Sequence, residues 1–146
     1  MKIALVCSSG GHLTELKQII PALQNKDYFF VTMTGPDTKT MINTYLMKDV
    51  SRNLLYFVIN TFQSIKIFLK TKPDLVITTG ASFAVPFCYI AKLFSKKVIY
   101  IESICRINSK SLSGKLLYPF VDLFLVQWSS SLKLWGKKAR YCGAVV

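Results

Sequence analysis

Apolar residues recur along this chain in two rhythms, and the alternation between them predicts the architecture. Ile3-Ala4-Leu5-Val6-Cys7 is an unbroken apolar run closed by turn residues, the pattern of a strand buried on both faces of a parallel sheet. A helix is predicted over residues 12–23, because Leu13, Leu16, Ile19, Ile20 and Leu23 fall at helical spacing, with Pro21 kinking or shortening its last turn. Residues 28–33 read as a second strand, and Thr34-Gly35-Pro36-Asp37 as a turn able to start a short helix. No clear period emerges from 38 to 53. From Leu54 to Lys72 the period is helical again: Val58, Phe62, Ile65 and Leu69 share one face, Lys66, Lys70 and Lys72 gather toward the end, and Pro73 closes it. Residues 75–79 form a strand running into Gly80, followed by a mainly apolar helix over 83–94 that contains Pro86. A strand at 98–101, a polar loop with a short helix at 114–120, a strand at 123–126, a short helix at 129–134 and an extended end at 140–146 complete the chain.

Strands separated by helices predict an α/β fold, a Rossmann-like parallel sheet with helices on both faces and right-handed crossovers. No repeat, low-complexity tract or linker interrupts it, so residues 1–146 read as a single domain. Ligands of such sheets sit beyond the carboxyl ends of the strands. Ser8 to His12, Thr79 to Ser82 and Glu102 to Arg106 are therefore predicted to border one cleft. Asp74 and Asp122 stand at strand starts, at the opposite end, and read as caps.

Composition narrows the class. The 146 residues are 51% apolar, which excludes intrinsic disorder. Cys7, Cys88, Cys105 and Cys142 show no close pairing and no CxxC, which predicts reduced thiols in a cytoplasmic setting. One histidine with scattered cysteines makes no zinc ligand set, and no paired carboxylates of the DxD kind stand ready for a metal, so neither metal nor cofactor is expected. No run approaches the roughly 20 apolar residues of a membrane span, and the N-terminus lacks the pattern of a signal peptide. The charge is the unusual quantity: 19 Lys+Arg against 7 Asp+Glu give +12, in a chain of mean hydropathy +0.37. Basic and apolar together point to a membrane surface or a phosphate-bearing partner. The segment Leu54 to Lys72, with Lys92, Lys96, Lys97, Lys110 and Lys115, has what an element resting on anionic headgroups needs; a helix packed on the sheet with a solvated lysine edge is the alternative. Nucleic acid is disfavoured as a partner, since only Arg52, Arg106 and Arg140 accompany the lysines and no nucleic-acid motif occurs.

The chemistry concentrates in few residues. Ser8-Ser9-Gly10-Gly11-His12 places two glycines between a buried strand and a helix, where bare amides at a helix N-terminus can seat an anion; a tight turn without ligand is the competing reading. The segment is neither a GxGxxG fingerprint nor a P-loop, and Cys7 lacks the arginine six residues on that a phosphatase loop needs, position 13 being leucine. His12, the only histidine, has three roles open to it: general base, phosphate orientation or helix capping. Glu102, directly after an apolar strand, is either the second acid–base group or a structural carboxylate holding a loop amide or Arg106. Trp128, Trp135 and Tyr141 crowd the C-terminal region as an exposed partner-facing patch or as core.

Taken together, several segments resemble one known family. They are Ser8-Ser9-Gly10-Gly11-His12, the run from Lys72 to Ala81 with Pro86, Ile101-Glu102-Ser103 with Arg106, Ser111 to Leu116, Asp122 with Gln127-Trp128, and Tyr141-Cys142-Gly143. In this order they resemble the asparagine-linked glycosylation protein fourteen family and its bacterial capsule and exopolysaccharide relatives. The resemblance implies the acceptor-side, N-terminal half of a GT-B glycosyltransferase. Its nucleotide-sugar half is a separate catalytic subunit that binds UDP-GlcNAc or, in some capsule systems, UDP-galactose or UDP-glucose. The acceptor it implies is a sugar on a polyprenyl diphosphate. Ser9, Gly10, Gly11 and His12 would then lie at the acceptor diphosphate, Gly80 and Ala81 along the cleft, and Glu102 with Arg106 toward the intersubunit active site; Trp128, Tyr141 and Gly143 would meet the partner. Eukaryotic members begin with a membrane-spanning helix, whereas this sequence begins at its first strand, so a bacterial form attached peripherally at the cytoplasmic face of the membrane is expected. A non-catalytic scaffold that recruits and activates the partner is the alternative.

Overall fold

The computed structural model describes residues 1–47 and 54–145. The first strand, β1 at Lys2–Val6, shows how the fold is layered. Ile3, Leu5 and the following Cys7 enter one apolar cluster, while Ala4 and Val6 enter another on the opposite face. Successive side chains of a strand point to opposite faces, so an unbroken apolar run needs cover on both sides. Six more strands join it: β2 Asp27–Met33, β3 Thr44–Met47, β4 Leu75–Thr78, β5 Lys97–Ile101, β6 Leu123–Val126 and β7 Ala139–Tyr141. The order across the sheet is β3-β2-β1-β4-β5-β6-β7, every neighbouring pair parallel. This is the Rossmann-like arrangement expected. The order reverses between β1 and β4, where Ile3 pairs with Leu75. At such a switch point the loops diverge and leave a crevice.

Among the described residues five α-helices cover the sheet: α1 Gly11–Lys17, α2 Leu54–Thr71, α3 Ala84–Leu93, α4 Leu112–Leu117 and α5 Ser131–Trp135. Leu13 and Leu16 of α1 are fully buried on the Ile3–Leu5 face; truncating either to alanine costs about 2–5 kcal/mol by the usual cavity rule. Phe68 of α2, Phe83 and Phe87 at α3, Leu117 of α4 and Trp135 of α5 cover the other face. Ile99 and Leu125 on the α1 face of the sheet are only half-buried. Asp74 and Asp122 cap the sheet's far end as expected, accepting from the amides of Lys2 and Val98.

Several boundaries differ from the sequence reading. The helix expected over 12–23 stops at Lys17, and a 3-10 turn follows at Ile20–Leu23. Pro21 has no N–H, and its ring would collide with the carbonyl of residue 17. Pro86, by contrast, is the third residue of α3, where the amide has no intrahelical partner anyway, so that helix continues. Strand β3 lies where no period was visible; its four residues are too few to show one. Helix α4 begins at Leu112 rather than 114, because Ser111 Oγ caps it by accepting from the Gly114 amide at 3.0 Å. The extended C-terminal end pairs as strand only through Tyr141. Arg52, and Val146 at the end of that segment, lie outside the described residues.

The apolar stripe of α2 is only partly covered. Val58, Phe62 and Leu69 look outward, with Phe62 68% exposed, and Ile65 is half-buried against the core, whereas Asn60, Ser64, Phe68 and Thr71 are buried. Small polar side chains let α2 approach α3 closely, and Phe68 meets Phe87 edge-on at 5.8 Å. Asn60 Nδ2 and Ser64 Oγ are buried without a partner among the described residues, a cost that ordinary soluble packing avoids. Among the described residues, no helix is long and apolar enough to cross a membrane.

Candidate functional site

A cavity of about 520 Å³ opens beyond the carboxyl ends of β1, β4 and β5. It brings the three predicted segments together. Gly11 and His12 reach it from the start of α1, Ala81 and Ser82 from the end of β4, and Ser103, Cys105 and Arg106 from the loop after β5. One wall is apolar, built from Phe57 of α2, Val85 of α3, and Leu112 and Leu116 of α4.

The glycine turn is held more tightly than expected. Gly10 adopts φ +84°, a conformation that glycine enters freely, and its amide donates to Asp37 Oδ2 at 2.7 Å. Neither Ser9 nor Gly10 lines the cavity. The seat expected for an anion is therefore narrower: a carboxylate already takes the Gly10 amide, leaving the unpaired amides of the first helical turn at Gly11 and His12. Asp37 was missed because one acid in a turn reads as solvated surface; its place after β2, the strand beside β1, was the available signal.

His12 is half-buried. Its carbonyl accepts from Thr79 Oγ1 at 2.9 Å, which ties the start of α1 to the end of β4. Its Nδ1 is buried with no hydrogen-bond partner among the described residues. Burial pushes the imidazole below its ordinary 6.5, while the Glu15 carboxylate pulls it up and Arg106 pushes it down. At neutral pH it is an unprotonated base facing a cavity.

Glu102 does not behave as an accessible acid–base group. It is 2% exposed and does not line the cavity. Its Oε2 accepts from Ser111 Oγ at 2.9 Å and the Ser111 amide at 3.3 Å, and its Oε1 from the Ser103 amide at 3.0 Å. Tyr100 Oη stands 3.5 Å away and bonds Ser111 and Ser113. Burial lifts the Glu102 carboxyl above its ordinary 4.5, opposed by these donors and by Arg106. Of the roles left open by the sequence, the geometry is that of a loop anchor. Arg106 does not pair with it; the guanidinium reaches Ser109 at 3.3 Å instead.

Gly80 sits beneath the cavity rather than in its wall. Its φ is +100°, and a Cβ there would lie 2.8 Å from Tyr100 Oη, so the position admits only glycine. Ala81, which does line the cavity, is held at φ +83°, a strain of roughly 1–2 kcal/mol for a residue with a Cβ. The carboxylate that faces the cavity is one the sequence reading passed over, Glu15 of α1. At the C-terminal side, Trp128 and Tyr141 are exposed and Trp128 Nε1 donates to the Ile104 carbonyl at 2.7 Å. Gly143 is exposed too. Trp135 is not part of that patch: it is buried against Phe124 with ring centroids 4.4 Å apart.

Comparison with known proteins adds a family and a fold. The family described as "Oligosaccharide biosynthesis protein Alg14 like" matches residues 45–145. A UDP-N-acetylglucosamine transferase subunit ALG14 of Mus musculus is 32% identical over 100% of this chain and 83% of its own length. Its counterpart from Yarrowia lipolytica is 28% identical over 99% of this chain and 81% of its own. Among solved structures, Acinetobacter baumannii MurG superposes with a TM-score of 0.79 at 15% identity, covering 100% of this chain and 46% of MurG. A UDP-GlcNAc 2-epimerase from Methanocaldococcus jannaschii gives 0.79 at 17%, covering 99% of this chain and 46% of that enzyme. The chain thus spans about half the length of these structures, and at such identities the likeness is one of fold, that of half a GT-B-type chain.

Proposed function

Because the chain belongs to the Alg14-like family of oligosaccharide biosynthesis proteins, we propose that it is the acceptor-side subunit of a two-chain glycosyltransferase using a UDP-linked sugar. The named relatives are subunits of a UDP-N-acetylglucosamine transferase, and this chain matches 46% of the length of the similarly folded MurG. A nucleotide-sugar-binding catalytic partner supplies the other half, docking at Trp128, Tyr141 and Gly143. The acceptor is a sugar on a polyprenyl diphosphate. The observation that carries this reading is the cavity itself, polar at Gly11, His12 and Arg106 and apolar along Phe57, Val85, Leu112 and Leu116. An acceptor with a charged head and a hydrocarbon tail presents the same two chemistries.

In the reaction, an acceptor hydroxyl oxygen bonds to the anomeric carbon of the donor sugar, the bond to UDP breaks, and the hydroxyl proton passes to His12. Gly11 and Arg106 hold the acceptor diphosphate. Peripheral attachment at the cytoplasmic face of the membrane completes the proposal. The outward Phe57, Val58, Phe62 and Leu69 of α2, flanked by exposed Lys66 and Lys70, form the kind of face that beds into anionic lipid. Bacterial capsule or exopolysaccharide synthesis is the finer setting, supported by the resemblance of the sequence segments alone.

The test is a transferase assay with a polyprenyl-diphosphate-linked sugar and a panel of UDP-sugars, using this chain, its partner, and both. Turnover with both and not with either alone is expected, and His12→Ala should lower it about 10²–10⁴-fold, the range for a lost general base. Equal activity of the partner alone would remove the reading. Full activity of the His12→Ala complex would favour the scaffold role. Phe62→Glu should leave the fold intact and abolish co-flotation with anionic vesicles; undiminished flotation sinks the membrane face.

A further inference from the structure

Glu15 is 5% exposed and forms no ion pair with a lysine or arginine among the described residues. It nonetheless lies on the cavity wall, one helical turn after His12. Its Oε1 accepts from Ser103 Oγ at 2.8 Å, and its Oε2 from Gln127 Nε2 at 2.9 Å. Ser103 Oγ also accepts from the Cys105 amide at 3.3 Å. Gln127 Nε2 donates as well to the Glu102 carbonyl at 3.0 Å, and Gln127 Oε1 accepts from the Val145 amide at 2.9 Å. One carboxylate therefore joins the segments that follow β1, β5 and β6 and, through Gln127, the C-terminal end.

A buried carboxylate is costly unless hydrogen bonds and a positive charge offset its desolvation. The hydrogen bonds are present. Among the described residues lining the cavity, only Arg106 and a protonated His12 supply positive charge. We propose that Glu15 is a positioning residue for His12: it clamps Ser103 and Gln127 under the cavity and stands as the buried counter-charge for the imidazolium formed when His12 accepts a proton. This rests on the base role given to His12 above. The proton passes from the acceptor hydroxyl to His12 and stops there. The groups facing the His12 imidazole are Glu15 on its own helix, the Thr79 backbone from the end of β4 and Arg106 from the loop after β5; burial and Arg106 disfavour the cation, and Glu15 and the Thr79 backbone favour it.

His12 is the only histidine, so its imidazole carbon–proton signal in the full chain can be titrated by NMR without assignment. Glu15→Gln keeps the shape, and the Ser103 hydroxyl can turn to accept from the new amide, so mainly the charge is lost. The His12 midpoint should move to lower pH in this variant. In the reconstituted complex, kcat should fall on the order of ten- to a hundredfold with little change in acceptor KM, and Glu15→Asp should recover part of it. On the unaltered chain, the Glu15 carboxyl carbon should show an inflection at the His12 midpoint, a readout that needs no variant to fold. An unmoved His12 midpoint in a folded Glu15→Gln chain, or no such inflection, overturns the proposal. A shifted midpoint alongside a fully active His12→Ala complex would keep the charge coupling but overturn both the base role and Glu15 as a positioning residue for catalysis.

Discussion

Gly11→Ala separates a ligand-binding turn from one that is merely tight. Gly11 is the first residue of α1, its φ lies outside the left-handed region, and a Cβ built on it meets nothing within 4 Å. Among the described residues nothing opposes the methyl group. Alanine also has fewer unfolded conformations than glycine, which favours the variant by about 0.4–1 kcal/mol. For a domain of this size that is a rise in melting temperature of roughly 1 to 4 °C. If acceptor phosphate oxygens approach the Gly11 amide, the same methyl occupies their space, and displacing a reacting group by about 1 Å costs on the order of a hundredfold in rate. Thermal melting and transferase turnover measured on one preparation should therefore move in opposite directions. A melting temperature that rises while kcat and acceptor KM stay at wild-type values would refute the diphosphate seat. Gly10→Ala cannot make this distinction, since its φ of +84° alone costs about 1–2 kcal/mol.

Three further outcomes are expected. Burial holds the folded-state value of His12 below 6.5, so the unfolded chain binds the proton more readily: stability should fall as pH drops below 6.5, level off once the folded value is passed, and lose that slope in His12→Gln, as read by urea midpoints. Asp122 is held at about 2, with Lys92, the Val98 amide and Lys97 outweighing burial; its contribution, about 1–2 kcal/mol after allowing for solvent screening, is present above 3.8 and lost as pH falls through about 2, and Asp122→Asn should flatten that acid limb. A thiol reagent should titrate the exposed Cys105 and Cys142 at once and reach Cys7 and Cys88 only on unfolding, because both are buried and their thiols are pushed up to about 12.

The strands were legible because burial on two faces leaves little room for any residue but an apolar one, as Ile3 to Cys7 show. The three cleft segments followed from that count, since strand ends on one edge must be neighbours. What the pattern did not reveal was direction. In α2, periodicity marks two faces without saying which one is covered: Val58, Phe62 and Leu69 share a face, yet it is Asn60 and Ser64, with Phe68, that are buried. Glu102 was prominent for its place after a strand, yet Ser111 and Tyr100 close over it. Glu15 was overlooked because a single acid on a helix reads as solvated. Only its spacing of three from His12, and the polar Ser103 and Gln127 at two strand ends, hinted at a shared contact.

The strand order also bears on how the chain reaches this state. Beyond β4, each strand adds to the sheet next to its predecessor in sequence, ending at the β7 edge, so that half can grow by local steps. The pairing of β1 with β4 is different: Val6 meets Thr78 only after the intervening chain, including β2 and β3, has been looped out. Contacts between distant residues are the slow ones in folding. The cavity stands at the end of that pairing, with Thr79 binding the His12 carbonyl across it. The site therefore depends on this long-range seam of the sheet, and a chain still emerging from the ribosome cannot display it until Leu116, the last residue of the cavity wall, is free.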